Sequence, residues 1–113
     1  MFRGYDDGFF TIGTARVASS LTIHHHQLEA PWPLACFAEL AIEHLQWLCE
    51  QPPEMLLLGS GRVTAFPSEA VMAWLHEYHI PVESMDSRAA ARTWNILMGE
   101  GRNASCAMLL PGV

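Results

Sequence analysis

The most informative segment for the fold is MLLLGSG at residues 55–61. Its apolar run is bounded by Pro53 and Gly59, which is typical of a short strand covered on both faces in a sheet packed between helices. A turn that directly follows such a strand lies at the carboxyl end of the sheet, where α/β proteins bind their ligands. The stretch therefore predicts an α/β fold and places a candidate site beside its strand.

The residues around this strand alternate between helical and extended patterns. Apolar residues recur at helical spacing in residues 41–50, 68–79 and 88–98, so we expect an amphipathic helix in each segment. Further strands are predicted at residues 82–85 and 104–110. Strands that alternate with helices favour a layered domain with parallel strand pairs.

The first part of the chain predicts β structure instead. Residues 9–30 are rich in Thr, Ile, Val and Phe, and we expect two or three short strands there. Pro31 and Pro33 then interrupt regular structure, because proline lacks an N–H group and disfavours helical geometry in the preceding residue. The 113 residues are expected to form a single domain, β-rich over residues 1–30 and alternating between helix and strand over residues 36–113.

Composition limits the partners of the chain. Six arginines and no lysine face 12 acidic residues, which gives a net charge of −6. No basic patch of the size that phosphate backbones need is available, so nucleic acid is not expected as a partner. The cysteines are odd in number and lack a C-x-x-C spacing, so reduced and mostly buried thiols are predicted. They are Cys36, Cys49 and Cys106.

The sequence also limits the location of the chain. Residues 1–10 lack the apolar run of about 7–15 residues found in a signal peptide. No apolar stretch approaches the roughly 20 residues of a membrane-spanning helix. We therefore expect a cytoplasmic protein that does not insert directly into a membrane.

Three consecutive histidines raise the question of a metal site. On a strand, His24 and His26 would share one face, which suggests a metal site. The sequence specifies no third ligand, so exposed histidines are favoured over a metal site, and no metal or other cofactor is expected.

Two predicted loops and one helix face supply the candidate binding residues. The loops follow the strands at residues 55–58 and 82–85, and they are expected to face each other across one crevice. A narrow polar stripe runs along the otherwise apolar helix at residues 88–98. The eight candidate residues are Gly59, Ser60, Gly61, Asp86, Ser87, Arg88, Arg92 and Asn95.

These residues allow two interpretations. An arginine at a helix N-terminus is unfavourable by about 0.3–1 kcal/mol, so Arg88 should have an anionic partner. In one interpretation, Arg88 or Arg92 pairs with Asp86 or Glu100 and the glycines only allow a tight turn. In the other, both arginines and the loop amides hold a small anionic or polar ligand. Catalysis is disfavoured because neither loop serine has a histidine near it in the sequence.

Two tryptophans are candidates for contact with a partner protein. Trp47 falls outside the apolar stripe of the helix predicted at residues 41–50, and Trp32 lies between two prolines. Partial burial against the sheet is favoured for both, and the alternative is that one or both are exposed anchors for a partner.

The chain resembles a widespread family of uncharacterised domains. The resemblance is carried by LLLGSG at residues 56–61, VESMDS at 82–87, ARTWNIL at 91–97 and EGR at 100–102. The family includes the mitochondrial assembly factor three of NADH:ubiquinone oxidoreductase (complex I) and many small bacterial and archaeal proteins. Ser60, Ser87 and Trp94 stand where relatives usually have Thr, Thr and Tyr.

The resemblance implies a three-layer α/β fold around a mixed, partly parallel central sheet. The last strand is implied to be antiparallel to the others, with helices packed on the sheet and an N-terminal β layer. No established activity is implied. By analogy with the mitochondrial members, we expect a protein-binding or assembly module whose partners are proteins of a membrane or respiratory complex. The alternative function is a small-anion-binding protein or enzyme that uses the crevice.

Overall fold

The computed structural model describes residues 1–113, which form two β-sheets and two α-helices. An antiparallel three-stranded sheet contains β1 (Phe2–Asp6), β2 (Phe9–Ile12) and β3 (Ala15–Val17). A five-stranded sheet contains β4 (Leu21–His24), β5 (Gln27–Glu29), β6 (Met55–Gly59), β7 (Val82–Met85) and β8 (Ala104–Met108). The helices are α1 (Glu69–Glu77) and α2 (Ser87–Gly99). Neither helix has the length and apolar character needed to cross a membrane.

The five-stranded sheet is mixed, with the strand order β5-β4-β8-β6-β7. β6 runs parallel to both β7 and β8, whereas β4 runs antiparallel to β8 and to β5. The resemblance implies a last strand that is antiparallel to the others. For β8, this prediction is correct relative to β4 and wrong relative to β6. The physical reason is the helix α2, which connects β7 to β8 and returns the chain so that both strands run in the same direction.

The apolar run of β6 lies at the centre of the molecule. Leu56, Leu57 and Leu58 are all fully buried in β6. Because successive side chains of a strand point to opposite faces, Leu56 and Leu58 pack with α1 in one core and Leu57 packs with α2 in the other. The second core also includes Phe2 and Phe10 of the small sheet. The three-layer α/β architecture is thus confirmed, with the N-terminal β layer and α2 on one side of the sheet.

Both predicted helices that flank β7 are present and capped. The hydroxyl of Ser68 accepts the Val71 N–H at 3.3 Å at the start of α1. The carboxylate of Asp86 accepts the Ala89 N–H at 2.9 Å at the start of α2. A side-chain oxygen at this position satisfies one of the free N–H groups of the first helical turn. Asp86 is therefore the cap of α2.

The prediction of an α-helix over residues 41–50 is wrong. Short 3₁₀ turns occupy this region, at Phe37–Glu39, Ile42–His44 and Gln46–Leu48. The carbonyl of His44 accepts the indole N–H groups of Trp32 at 3.0 Å and Trp47 at 2.7 Å. In an α-helix this carbonyl would instead accept the N–H of Leu48, which here bonds to Leu45 at 3.1 Å.

The β-rich segment also differs from expectation. Residues 9–30 contain four strands rather than two or three. β4 and β5 form a hairpin whose two turn residues, His25 and His26, have positive φ angles of 49° and 65°. Positive φ at both central positions is typical of a type I′ turn, whose twist matches that of the strands. Because β4 ends at His24, His24 and His26 do not share a strand face, and that premise of the metal interpretation is wrong.

Candidate functional site

The two predicted loops lie against each other at the carboxyl ends of β6 and β7. The Gly61 N–H donates to the hydroxyl oxygen of Ser87 at 2.8 Å, and the Ser87 N–H donates to the Gly61 carbonyl at 2.9 Å. The Ser60 N–H donates to the Met85 carbonyl at 2.8 Å. Ser87 is fully buried. The polar groups of these loops are therefore used to join the two loops.

Glycine at position 59 is required by close packing at this junction. A Cβ atom on Gly59 would lie 2.9 Å from the Ser87 hydroxyl oxygen and 3.0 Å from Cγ of Met108. Gly61 has a φ of +99°, which side-chain-bearing residues rarely adopt. Gly59 thus allows β6 to pack closely against the start of α2, and Gly61 allows the chain to turn after β6.

The β6–α1 loop, residues 60–68, is held by serine hydroxyls. The Ser60 hydroxyl lies 2.7 Å from the Val63 carbonyl oxygen and accepts the Ala65 N–H at 3.0 Å. The Ser84 hydroxyl donates to the Ala65 carbonyl at 2.5 Å. Val63 and Phe66 nevertheless remain 67% and 74% exposed. The backbone of the loop is fixed while two of its apolar side chains face solvent.

Arg88, at the start of the polar stripe, binds a carboxylate from the β1–β2 turn. Its guanidinium donates to Asp7 and, at 3.4 Å, to the Pro111 carbonyl. Arg62 approaches the other oxygen of Asp7 at 3.6 Å. The hydrogen bond from Arg88, together with the charges of Arg62 and Arg88, holds the pKa of Asp7 below its ordinary value. The expected pairing of Arg88 with Asp86 or Glu100 is therefore wrong.

Arg92 and Asn95 continue this contact along α2. Arg92 donates to the Tyr5 hydroxyl at 2.7 Å. The side-chain amide of Asn95 accepts the Phe2 N–H at 2.8 Å and donates to the Phe2 carbonyl at 2.7 Å. The polar stripe of α2 thus attaches β1 and the β1–β2 turn to the helix.

None of the three main cavities is lined by any of the eight candidate residues. Their volumes are about 460, 480 and 400 Å³. The first is bounded by the β4–β5 turn and the α2–β8 turn, and the second lies between β5 and the 3₁₀ turns. The third lies between Leu28 of β5 and Trp94 of α2.

The structure also shows the setting of several other residues. Trp32 is 3% exposed and Trp47 is half-buried, so the favoured burial is confirmed and Trp32 is not an exposed anchor. His44 is half-buried, and its Nδ1 atom accepts the Ala41 N–H at 2.9 Å. Cys36 is exposed, in contrast to the expectation of mostly buried thiols.

The exposed pair Val63 and Phe66 was not predicted. Its only signal in the sequence is the presence of apolar residues between Arg62 and Pro67 that fit neither a helical nor a strand period. Exposed large apolar residues held on a rigid loop are more informative than exposed apolar residues scattered singly. This pair is therefore added to the candidate residues.

The sequence matches a known protein family over almost its whole length. Residues 2–109 match the family described as protein of unknown function DUF498/DUF598. The chain belongs to this family. An uncharacterized protein of Rhodobacter capsulatus is 36% identical to this DUF498/DUF598 chain over 110 residues, which cover 96% of the chain and 84% of the relative. The 13 kDa major membrane protein of Francisella tularensis is 26% identical, with 96% of the chain and 89% of the relative covered.

One relative is a eukaryotic assembly factor of the kind named in the sequence analysis. The NADH dehydrogenase [ubiquinone] 1 alpha subcomplex assembly factor 3 of Danio rerio is 32% identical over 82 residues. These residues cover 71% of this DUF498/DUF598 chain and 47% of the assembly factor. The resemblance to the family that includes this assembly factor is confirmed.

Solved structures of the same fold are also known. A Xanthomonas campestris protein has 30% identity and a TM-score of 0.86, with 100% of the DUF498/DUF598 chain and 86% of that protein covered. A Bordetella pertussis protein, described as a Mth938-like domain, has 28% identity and a TM-score of 0.82, with 98% and 85% covered.

Proposed function

We propose that the chain is a protein-binding module that assists the assembly of a membrane or respiratory complex, and that it contacts its partner through the β6–α1 loop. The observation that carries the proposal is the exposure of Val63 and Phe66 on a loop whose backbone is fixed by the hydroxyls of Ser60 and Ser84. The proposed partner surface is an apolar pocket on another protein that receives the Phe66 ring.

A fixed loop suits this purpose for a thermodynamic reason. Ordering a flexible loop and its side chains opposes association, and this loop is already ordered in the free protein. Aromatic side chains that enter a pocket supply a large share of the binding free energy in protein interfaces. Val63 would widen the apolar contact, and the exposed Arg62 next to it would contribute a polar rim.

Six of the eight candidate residues have a positioning role in this proposal. Ser60 and Ser87 hold the loop and its neighbour in place, and Asp86 caps the helix behind them. Arg88, Arg92 and Asn95 hold the N-terminal sheet against the same helix. A small-anion site in the crevice is not proposed, because these guanidinium groups already bond within the chain.

The relatives support the kind of partner. The Danio rerio protein is named as an assembly factor of a respiratory complex, and the Francisella tularensis protein is named as a membrane protein. We propose that this chain works in the cytoplasm and reaches the membrane by binding a subunit there. Direct insertion is not part of the proposal.

Site-specific crosslinking tests the proposal. A photoreactive phenylalanine analogue replaces Phe66 in the full-length chain, which is then expressed in its native cells and irradiated. The matched control carries the analogue at Ile96, which is 61% exposed on the outer face of α2. The expected result is a crosslink from position 66, absent from position 96, to a subunit or assembly protein of a membrane-embedded respiratory complex.

The outcome that contradicts the proposal is equally specific. If the two positions give the same crosslinks, or if position 66 gives none, the loop is not a docking surface. If position 66 specifically crosslinks a protein unrelated to any membrane complex, the docking surface is correct and the assembly role is wrong.

A further inference from the structure

The cavity of about 480 Å³ lies apart from the surface used in the proposed function. Its wall is formed by β4, β5, the segment that follows β5 and the last of the 3₁₀ turns. None of its lining residues belongs to the β6–α1 loop or to the polar stripe of α2. The volume is within the range of about 300–1,000 Å³ typical of small-molecule sites.

The aromatic part of this wall is held rigidly. The carbonyl of His44 accepts the indole N–H groups of both Trp32 and Trp47, at 3.0 and 2.7 Å. The His24 and Trp47 rings make a T-shaped contact with centroids 5.3 Å apart, and the Nδ1 atom of His24 lies 2.7 Å from the Ser105 hydroxyl oxygen. The Trp47 ring is therefore positioned before any ligand enters.

The polar part of the wall is rich in hydrogen-bond acceptors and carries negative charge. Gln27 and Glu29 both line the cavity, because alternate residues of β5 share one face. Gln46 and Glu50 line it from the opposite side, and no arginine or lysine does. Burial lowers the pKa of His24, so this ring adds no opposing positive charge near neutral pH.

We propose that this cavity binds a guanidinium group. The planar guanidinium stacks on aromatic faces, carries a permanent positive charge and has five N–H donors arranged in a fork. The cavity offers the indole of Trp47, two carboxylates and two side-chain amide oxygens, which matches each of these properties. The group belongs to an arginine side chain of another protein or to a free guanidino compound, since the recognition chemistry is the same.

The test uses three probes and the full-length, ¹⁵N-labelled protein. Agmatine represents a free guanidino compound, and the capped peptide Gly-Arg-Gly represents a protein-borne arginine. The capped peptide Gly-citrulline-Gly has nearly the same shape as the arginine peptide but no charge. The chemical shift of the Trp47 indole N–H reports binding directly, because this group is part of the wall.

The expected result is a saturable shift of the Trp47 signal with agmatine or with the arginine peptide, and at least about ten-fold weaker binding of the citrulline peptide. E29Q and E50Q should each weaken binding roughly five-fold, as expected for the loss of one charge-assisted contact. Both carboxylates are exposed, so these variants should fold as the parent does. E77Q, at an exposed carboxylate of α1, is the matched control and should bind as the parent does.

Each remaining outcome decides the question. Binding of the arginine peptide alone supports a protein partner, and binding of agmatine alone supports a free ligand. Absence of a saturable shift with both probes overturns the proposal, as does equal binding of the citrulline peptide or an unchanged affinity in both glutamine variants. Because the cavity and the β6–α1 loop share no residue, failure here leaves the crosslinking result at Phe66 unaffected.

Discussion

Replacing Gly59 with alanine places a methyl group in the contact between β6 and the start of α2. The new Cβ atom lies 2.9 Å from the Ser87 hydroxyl oxygen and 3.0 Å from Cγ of Met108. Favourable contacts between such atoms occur at about 3.5–4.0 Å, so both neighbours must move. Both are fully buried and cannot turn out into solvent.

The expected loss of stability follows from these displacements. Overfilling a packed core costs about 1–3 kcal/mol. Displacing the Ser87 hydroxyl leaves the N–H of Gly61 without its partner, which costs about 1–3 kcal/mol more. The reduced freedom of the unfolded chain offsets about 0.4–1 kcal/mol. We therefore expect the free energy of unfolding to fall by about 1–6 kcal/mol, and Tm to fall by at least about 4 °C.

Urea unfolding followed by circular dichroism measures this change. The matched control is G99A at the last residue of α2, where a Cβ atom would meet no other atom within 4 Å. This control should be neutral or more stable by up to about 1 kcal/mol, because alanine favours the helix. A free energy of unfolding for G59A within about 0.5 kcal/mol of the parent would refute the close packing of this junction.

Three further predictions concern other parts of the chain. Asn95→Ala removes two hydrogen bonds to the β1 backbone, so we expect the free energy of unfolding in urea to fall by about 1–3 kcal/mol. Amide exchange should become faster in β1 alone. Unchanged exchange there would contradict the role of Asn95 in holding β1 against α2. Because the Arg88 hydrogen bond lowers the pKa of Asp7, the ion pair should stabilise the fold at pH values above about 4 and lose this effect as the pH falls through the lowered pKa. Arg88→Gln should raise the pKa of Asp7, measured as the midpoint of a ¹³C NMR titration. An unchanged midpoint would show that Arg88 does not lower this pKa. Burial raises the pKa of the Cys106 thiol, so iodoacetamide should modify Cys36 in the folded protein and Cys106 only after unfolding, as mass spectrometry can check.

Short-range patterns in the sequence predicted most of the regular structure. The helices α1 and α2 and the strands β6 and β7 were expected within one or two residues of their observed bounds. The caps Ser68 and Asp86 are local features of the same kind, because each bonds to an N–H only three positions further along the chain. These features need no knowledge of distant contacts.

Long-range contacts explain what the sequence did not predict. Residues 41–50 have a helical pattern but form 3₁₀ turns, and there the His44 carbonyl accepts an indole N–H from the distant Trp32. The partner of Arg88 is Asp7, 81 positions away, rather than a neighbouring carboxylate. The placement of such partners depends on how the layers stack, which periodicity alone does not specify.

The position of β8 makes the order of folding differ from the order of synthesis. β8 follows every other strand in the chain, yet it lies between β4 and β6 at the centre of the five-stranded sheet. Its alternate residues enter both cores, Ala107 on one face and Cys106 on the other. While the ribosome is still adding residues 104–108, the two halves of the sheet have no strand to join them. Both cores therefore form only after β8 has been synthesised, and until then the apolar run of β6 is exposed and prone to aggregation.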